Sequence, residues 1–235
     1  MKAFFELSLV ARFFLFIVLV FLPAAGIAGY LRLRRGKPLR PKRARYRIVI
    51  VVQCILLLIA LWAARRQGIE LLGRQWGNPA IWLVTAAYAA LFGWRARRAW
   101  TRMSPARLER ARRVLPDDPS LMRLWVVIAA MAAISEECAY RGLAYRLLVH
   151  MSLDPALAVL VCVVSFAFGH MIQGWRGVLG AFVIALIFHT LVFVTNSLYL
   201  AIAFHAAFNL IVGSIAMPVL SRLAKAQEVK QVVEA

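Results

Sequence analysis

The chain is a series of apolar runs, several of them near the ~20 residues that span a bilayer. The runs alternate with short loops crowded with arginine and lysine. With 63 % hydrophobic residues against roughly half in a soluble domain, the composition excludes an ordinary water-soluble fold. In lipid every backbone polar group must find an internal partner, which leaves helices and closed barrels. Runs this long and continuous predict helices. The expected fold is all-α, a polytopic transmembrane helical bundle of about seven membrane helices. Their ranges are 9–31, 47–64, 79–94, 121–149, 155–171, 177–194 and 198–219. The third is short for a span, and the fourth is long, with Gly142 as a candidate break.

The net charge of +19 raises the question of nucleic acid, and its distribution answers against it. Nine Lys/Arg fall between Arg32 and Arg47, and eight Arg between Arg95 and Arg113, beside the ends of apolar runs. That is the positive-inside pattern, so both loops are expected in the cytoplasm, against anionic lipid. The 65–78 loop carries fewer charges (Arg65, Arg66 and Arg74 with Glu70) and is expected outside. The tail, with Arg222, Lys225 and Lys230, returns inside, although Lys2 and Arg12 pull the N-terminus the same way. The 9–31 run contains Arg12 and lacks a cleavage site, so it reads as a retained helix rather than a signal peptide. Ser104 and Pro105 open a basic amphipathic helix through Arg113, expected to lie on the cytoplasmic surface, and Pro116 to Pro119 close it. Cys54, Cys138 and Cys162 sit in separate apolar runs and read as small buried residues.

Against this background two adjacent acids stand out. Of seven glutamates, only Glu136 and Glu137 lie in an apolar run. A charge at the bilayer centre costs ~2.5–3.5 kcal/mol on insertion scales, so both must face the protein interior and find partners. Glu137 and Arg141 are four apart and share a helix face, which predicts an ion pair. Glu136 points about 100° away, toward a neighbouring helix. Three of the four histidines, His170, His189 and His205, are also in apolar runs, and Asn209 shares a face with His205. A site built from Glu136, His170, His205 and Asn209 satisfies these polar groups together. It places a general base beside donors for a developing negative charge. His189, with no motif around it, reads as structural; His150 is expected at the outer interface, and Phe166 as packing.

Three ordered motifs carry a resemblance. Glu136-Glu137-Cys138-Ala139-Tyr140-Arg141 resembles EExxxR, Phe166 to His170 resembles FxxxH, and His205 to Asn209 resembles HxxxN. Together they resemble the CPBP family: CAAX-processing and bacteriocin-processing intramembrane proteases, also called type II CAAX endopeptidases or Abi proteins. The likeness covers about 121–215. It implies an intramembrane endopeptidase with Glu136, Glu137, Arg141, His170, His205 and Asn209 as site residues. Glu136 and His170 would activate water, His205 and Asn209 would hold the oxyanion, and Glu137 and Arg141 would shape the site. No cofactor is expected; the zinc version of the chemistry would use Glu136, His170 and His205 as ligands. The sixth helix, with Ala185 and bulky residues where relatives carry more glycine, implies a different substrate groove.

The expected organisation is N-terminal membrane helices with basic cytoplasmic loops over 1–120, a catalytic helical core over 121–219 and a cytoplasmic tail over 220–235. Expected partners are membrane lipid and a membrane-associated protein or peptide substrate, with no nucleic acid. The Arg- and Ala-rich composition points to a GC-rich bacterium and its inner membrane. The alternative class is a non-proteolytic membrane scaffold or bacteriocin-immunity-type protein of the same fold. A transporter would call for an inverted repeat or paired broken helices, and neither is visible. The topology has a direct check. Cysteines placed at Arg40 and Arg107 should resist labelling by an impermeant reagent added outside intact cells. Ready labelling would invert the orientation.

Overall fold

A computed structural model describes residues 6–72 and 78–233, with side chains through 226. Expectations resting on Lys2, on Arg74 and on the tail residues Glu228, Lys230 and Glu234 lie outside the described residues or side chains. The described residues form helices and no strand. We number them α1 (Leu9–Arg34), α2 (Lys42–Arg66), α3 (Pro79–Trp100), α4 (Pro105–Arg112), α5 (119–150), α6 (Pro155–Gly169), α7 (Trp175–Thr195) and α8 (Leu198–Val233). Helices fill the expected ranges, except that α6 ends at Gly169, short of the expected 171. Four qualify by length and composition to cross a membrane: α1, α2, α7 and α8, the last over Leu198–Ala226. Four of the seven expected crossings are therefore supported, and the other three expected spans, α3, α5 and α6, do not meet that criterion. Of these, α6 is short, and α5 carries Glu136, Glu137 and Arg141 within its length.

The outer surface is what lipid demands. Phe13, Leu58, Trp62, Leu83, Leu179 and Phe193 all stand exposed, a pattern that would aggregate in water. The interior is tight because its residues are small: Ala11, Ala60, Ala133, Ala139, Ala144 and Ala158 are fully buried. Small side chains let helix backbones approach closely where no hydrophobic drive separates protein from lipid. α5 sits at the centre, with α2 and α8 along it, while α6 carries α1 and α7, and α3 lies outside on α8. Tyr88 and Phe92 of α3 meet Phe204 and Phe208 of α8 at ring-centroid distances of 5.9 and 4.8 Å.

Several boundaries depart from the sequence expectation. α3 continues past 94 to Trp100, because Arg95, Arg97 and Arg98 favour helix, suit its C-terminal dipole and place Arg98 4.1 Å over the Trp94 ring. α8 runs beyond 219 to Val233, despite Pro218 inside it. Ser104 does occupy the N-cap of α4, but its side chain caps nothing. Gly142 does not break α5. Instead the helix widens into a π-helix over Glu137–Ala144, all of whose residues are buried. A second π turn, Ile17–Phe21, lies in α1, and the Val18 carbonyl accepts from Ser165 (2.6 Å) and Tyr140 (3.4 Å). That carbonyl ties α1 to α6 and to the π segment of α5.

The loop 113–118 is clamped onto the start of α2. Lys42 and Arg112 both pair with Asp117, at 2.7 and 2.9 Å, and Tyr46 donates to the Val114 carbonyl at 2.7 Å. Asp118 then caps α5, accepting from the backbone of Ser120 and Leu121. Burial pushes its carboxyl up, but bonds from Ser120 and Leu121, with Arg43 nearby, outweigh this and hold it below the ordinary carboxylate range.

Two glycines mark the closest helix crossings. A Cβ at Gly26 would lie 2.4 Å from the Phe168 carbonyl oxygen, where α1 crosses the end of α6. A Cβ at Gly213 would lie 2.3 Å from Nε1 of Trp125, where α8 crosses α5. Gly180 has open space around it. Gly26→Ala and Gly213→Ala should each destabilise the protein by about 1–3 kcal/mol. Gly180→Ala should be neutral or gain about 0.5–1 kcal/mol. Thermal melts of the three variants in one detergent provide the comparison.

Candidate active site

The π-helical part of α5 supplies the central residues. Glu137 and Arg141 have fully buried side chains and pair at 3.2 Å, as their spacing predicts. Arg141 also donates to the Ala185 carbonyl of α7 at 3.2 Å. Its guanidinium lies 4.9 Å from the ring centre of Phe166 and 5.5 Å from that of Phe188. The cation is thus sandwiched between two π faces and pinned to α7, a geometry that lysine would not reproduce. Phe166 packs, as expected, but it packs against the charge itself.

Glu137 does more than pair with Arg141. Its Oε1 also meets Nδ1 of His205 on α8 at 2.8 Å. A carboxylate only accepts, so Nδ1 carries the proton and Nε2 is turned the other way. Nε2 faces Glu136, 3.8 Å from its Oε2. The other oxygen of Glu136, Oε1, accepts from Nε2 of Gln53 on α2 at 2.6 Å. The two adjacent acids therefore bracket one imidazole, Glu137 at Nδ1 and Glu136 at Nε2. The side chain of Glu136 keeps 14 % of its surface accessible, whereas that of Glu137 keeps none, so only the first can meet a substrate or water.

His170 ends α6 and its Nδ1 lies 2.9 Å from the Phe166 carbonyl, which fixes the proton there and leaves Nε2 as an acceptor. Its ring stacks on Phe166 at 4.6 Å. His170 packs on Phe166, the ring that Arg141 also touches, and no hydrogen bond joins it to Glu136 or His205 among the described residues. Asn209 stands one turn beyond His205 on α8, and its backbone carbonyl accepts from Nε1 of Trp125 at 2.9 Å. Its side-chain amide has no partner among the described residues and remains available to a ligand. His189 is buried with Nε2 unpartnered, edge-on to Tyr145, apart from these contacts. His150 is exposed at the end of α5.

A catalytic zinc takes three protein ligands. Among the described residues no group of three or more His, Cys, Asp or Glu side chains is placed to hold a metal ion. In both His170 and His205 the Nδ1–H is spent on an oxygen and Nε2 stays free, the form in which a histidine can ligate a metal. Sequence reasoning missed Gln53. Its signal was there: a lone amide in an apolar span needs a polar partner.

Residues 118–211 match the family model described as "Type II CAAX prenyl endopeptidase Rce1-like". The family is the one its three motifs resemble, and the match supports a CAAX-type intramembrane protease at family level. The match covers α5, α6, α7 and the start of α8, and no part of α1 to α4. No curated protein and no solved structure matches the chain.

Removing either side of the buried pair leaves the other charged in a low-dielectric interior. Glu137→Gln should cost about 3–5 kcal/mol of stability. The reference is Glu136→Gln, which replaces a less buried acid by an amide of equal size and should melt near wild type.

Proposed function

We propose that the protein is an intramembrane endopeptidase that hydrolyses peptide bonds of membrane-associated proteins or peptides. The observation that carries this reading is the Glu136–His205–Glu137 arrangement: one accessible carboxylate oxygen 3.8 Å from an imidazole nitrogen whose partner nitrogen is held at 2.8 Å by a buried acid. The gap is too long for a hydrogen bond and short enough for one water to touch both groups, each at about 2.8 Å. Glu136 takes a proton from that water as it attacks the scissile carbonyl. The proton then passes to the leaving amine. Nε2 of His205, when it carries a proton, and the amide of Asn209 donate to the oxyanion. His170, with Nε2 free to accept, helps to orient the water. Glu137 and Arg141 hold His205 in place and balance charge. No step in this scheme runs through a metal.

A bacterial inner membrane fits the composition, and nothing in the reading needs the substrate to be prenylated. The test is cleavage of a panel of membrane-anchored peptides by purified protein in detergent. Wild type should cleave, Glu136→Gln should not, and Asn209→Ala should lower turnover roughly 10²–10³-fold with little change in KM. Activity removed by a chelator and restored by zinc would overturn the metal-free scheme. Absence of any cleavage by wild type across the panel would favour the scaffold alternative.

A further inference from the structure

We propose that Gln53 is a positioning residue for Glu136. It holds Oε1 of the carboxylate, and so commits Oε2, the oxygen facing His205, to the water. The inference rests on the proteolytic reading above.

Gln53 sits mid-way along α2, outside the segment that matches the family. Val51 and Val52 beside it are exposed to the lipid side, while Gln53 itself is 8 % exposed and points inward. Both ends of its amide are used. Nε2 donates to Oε1 of Glu136 at 2.6 Å, the short distance of a charge-assisted bond. Oε1 accepts from the hydroxyl of Ser135 on α5.

These two contacts determine which way round the amide lies. A carboxylate can only accept, so the amide nitrogen faces it; a hydroxyl donor faces the carbonyl end. The flipped amide would set two oxygens against each other at Glu136. The hydroxyl of Ser135 has one proton and a second acceptor within reach, the Met131 carbonyl at 2.7 Å. That carbonyl is also the ordinary i−4 acceptor of the helix ladder, so the hydroxyl proton is better spent on Gln53.

The consequence is mechanical. The terminal torsion of a glutamate is broad and roughly two-fold, so an untethered carboxylate presents either oxygen at a range of angles. With Oε1 held by α2, that torsion is set. The remaining oxygen is fixed 3.8 Å from Nε2 of His205, where one water can contact both. The N-terminal half of the chain thereby contributes a residue to a site whose motifs all lie in the C-terminal half.

The experiment uses the full chain in detergent with the peptide panel. Gln53→Leu and Gln53→Met remove the amide but keep its bulk; methionine is the closer match in shape and controls for packing. Each should lower kcat about 10–100-fold, with KM within about two-fold and the melting temperature within a few degrees. Ser135→Ala, which frees the amide to flip, should lose less. In the Gln53→Leu background it should add nothing, the signature of one coupled unit. Wild-type kcat in both Gln53 variants, with Glu136→Gln inactive, would overturn the proposal and leave the protease reading standing. A second readout does not need turnover. The infrared carboxylate band that disappears in Glu136→Gln should shift in Gln53→Met. An unmoved band would overturn the proposal even if no peptide is cleaved.

Discussion

The ion pair between Glu137 and Arg141 is the constraint that the rest of the bundle answers to. Two charges taken fully out of water lose several kcal/mol of hydration each, and their mutual attraction recovers this only with good geometry and further hydrogen bonds. The structure supplies part of this, since Oε2 of Glu137 and Nε of Arg141 stay buried without a hydrogen-bond partner among the described residues. Arg141 gains the Ala185 carbonyl and two aromatic faces, and Glu137 gains the Nδ1 proton of His205. Three helices are thereby tied to one point: α5 carries the pair, α7 takes the cation, and α8 takes the acid. A pair of this kind contributes more to orientation than to net stability. Hydrophobic residues of the same volume would pack as well, but they would leave the imidazole free to turn.

The local form of α5 follows from this requirement. A regular α-helix would turn Glu136 and Glu137 about 100° apart and keep its backbone ladder intact. The π segment over Glu137–Ala144 widens the turn at the point where two acids and a cation must all be accommodated inside the protein. π turns recur at functional sites because they trade regular hydrogen bonding for the aim of a side chain. In α1 the second π turn serves a neighbour. The Val18 carbonyl receives Ser165 and Tyr140, which steadies α6 about one and a half turns before His170.

The site is also a joint between the two halves of the chain. α2 enters through Gln53, and α1 crosses α6 at Gly26 so closely that a methyl group would strike the Phe168 carbonyl. α8 reaches α5 through Trp125, whose indole both fills the space over Gly213 and binds the carbonyl of Asn209. The residues to which we assign chemistry are on α5 and α8 and at the end of α6. The helices that hold them at the required separations include α1 and α2, which carry no recognisable motif.

Much of this was legible in the residues themselves. Apolar runs of bilayer length determine helices, because lipid leaves the backbone no other way to satisfy its polar groups. Glu137 and Arg141 could be paired from their spacing alone, since residues four apart on a helix are neighbours. His205 and Asn209 could be set on one face for the same reason. What spacing cannot reach is contact between distant segments. That Glu137 takes Nδ1 of His205, that Gln53 takes Glu136, and that His170 turns to the Phe166 carbonyl are decided by how helices cross. Helix crossing in lipid depends on small residues and on glycines such as Gly26 and Gly213, whose partners lie more than 80 residues away in sequence. Helical periodicity is a local property and was readable; side-chain partnership across a bundle is set by close packing, and only the tertiary structure decides it.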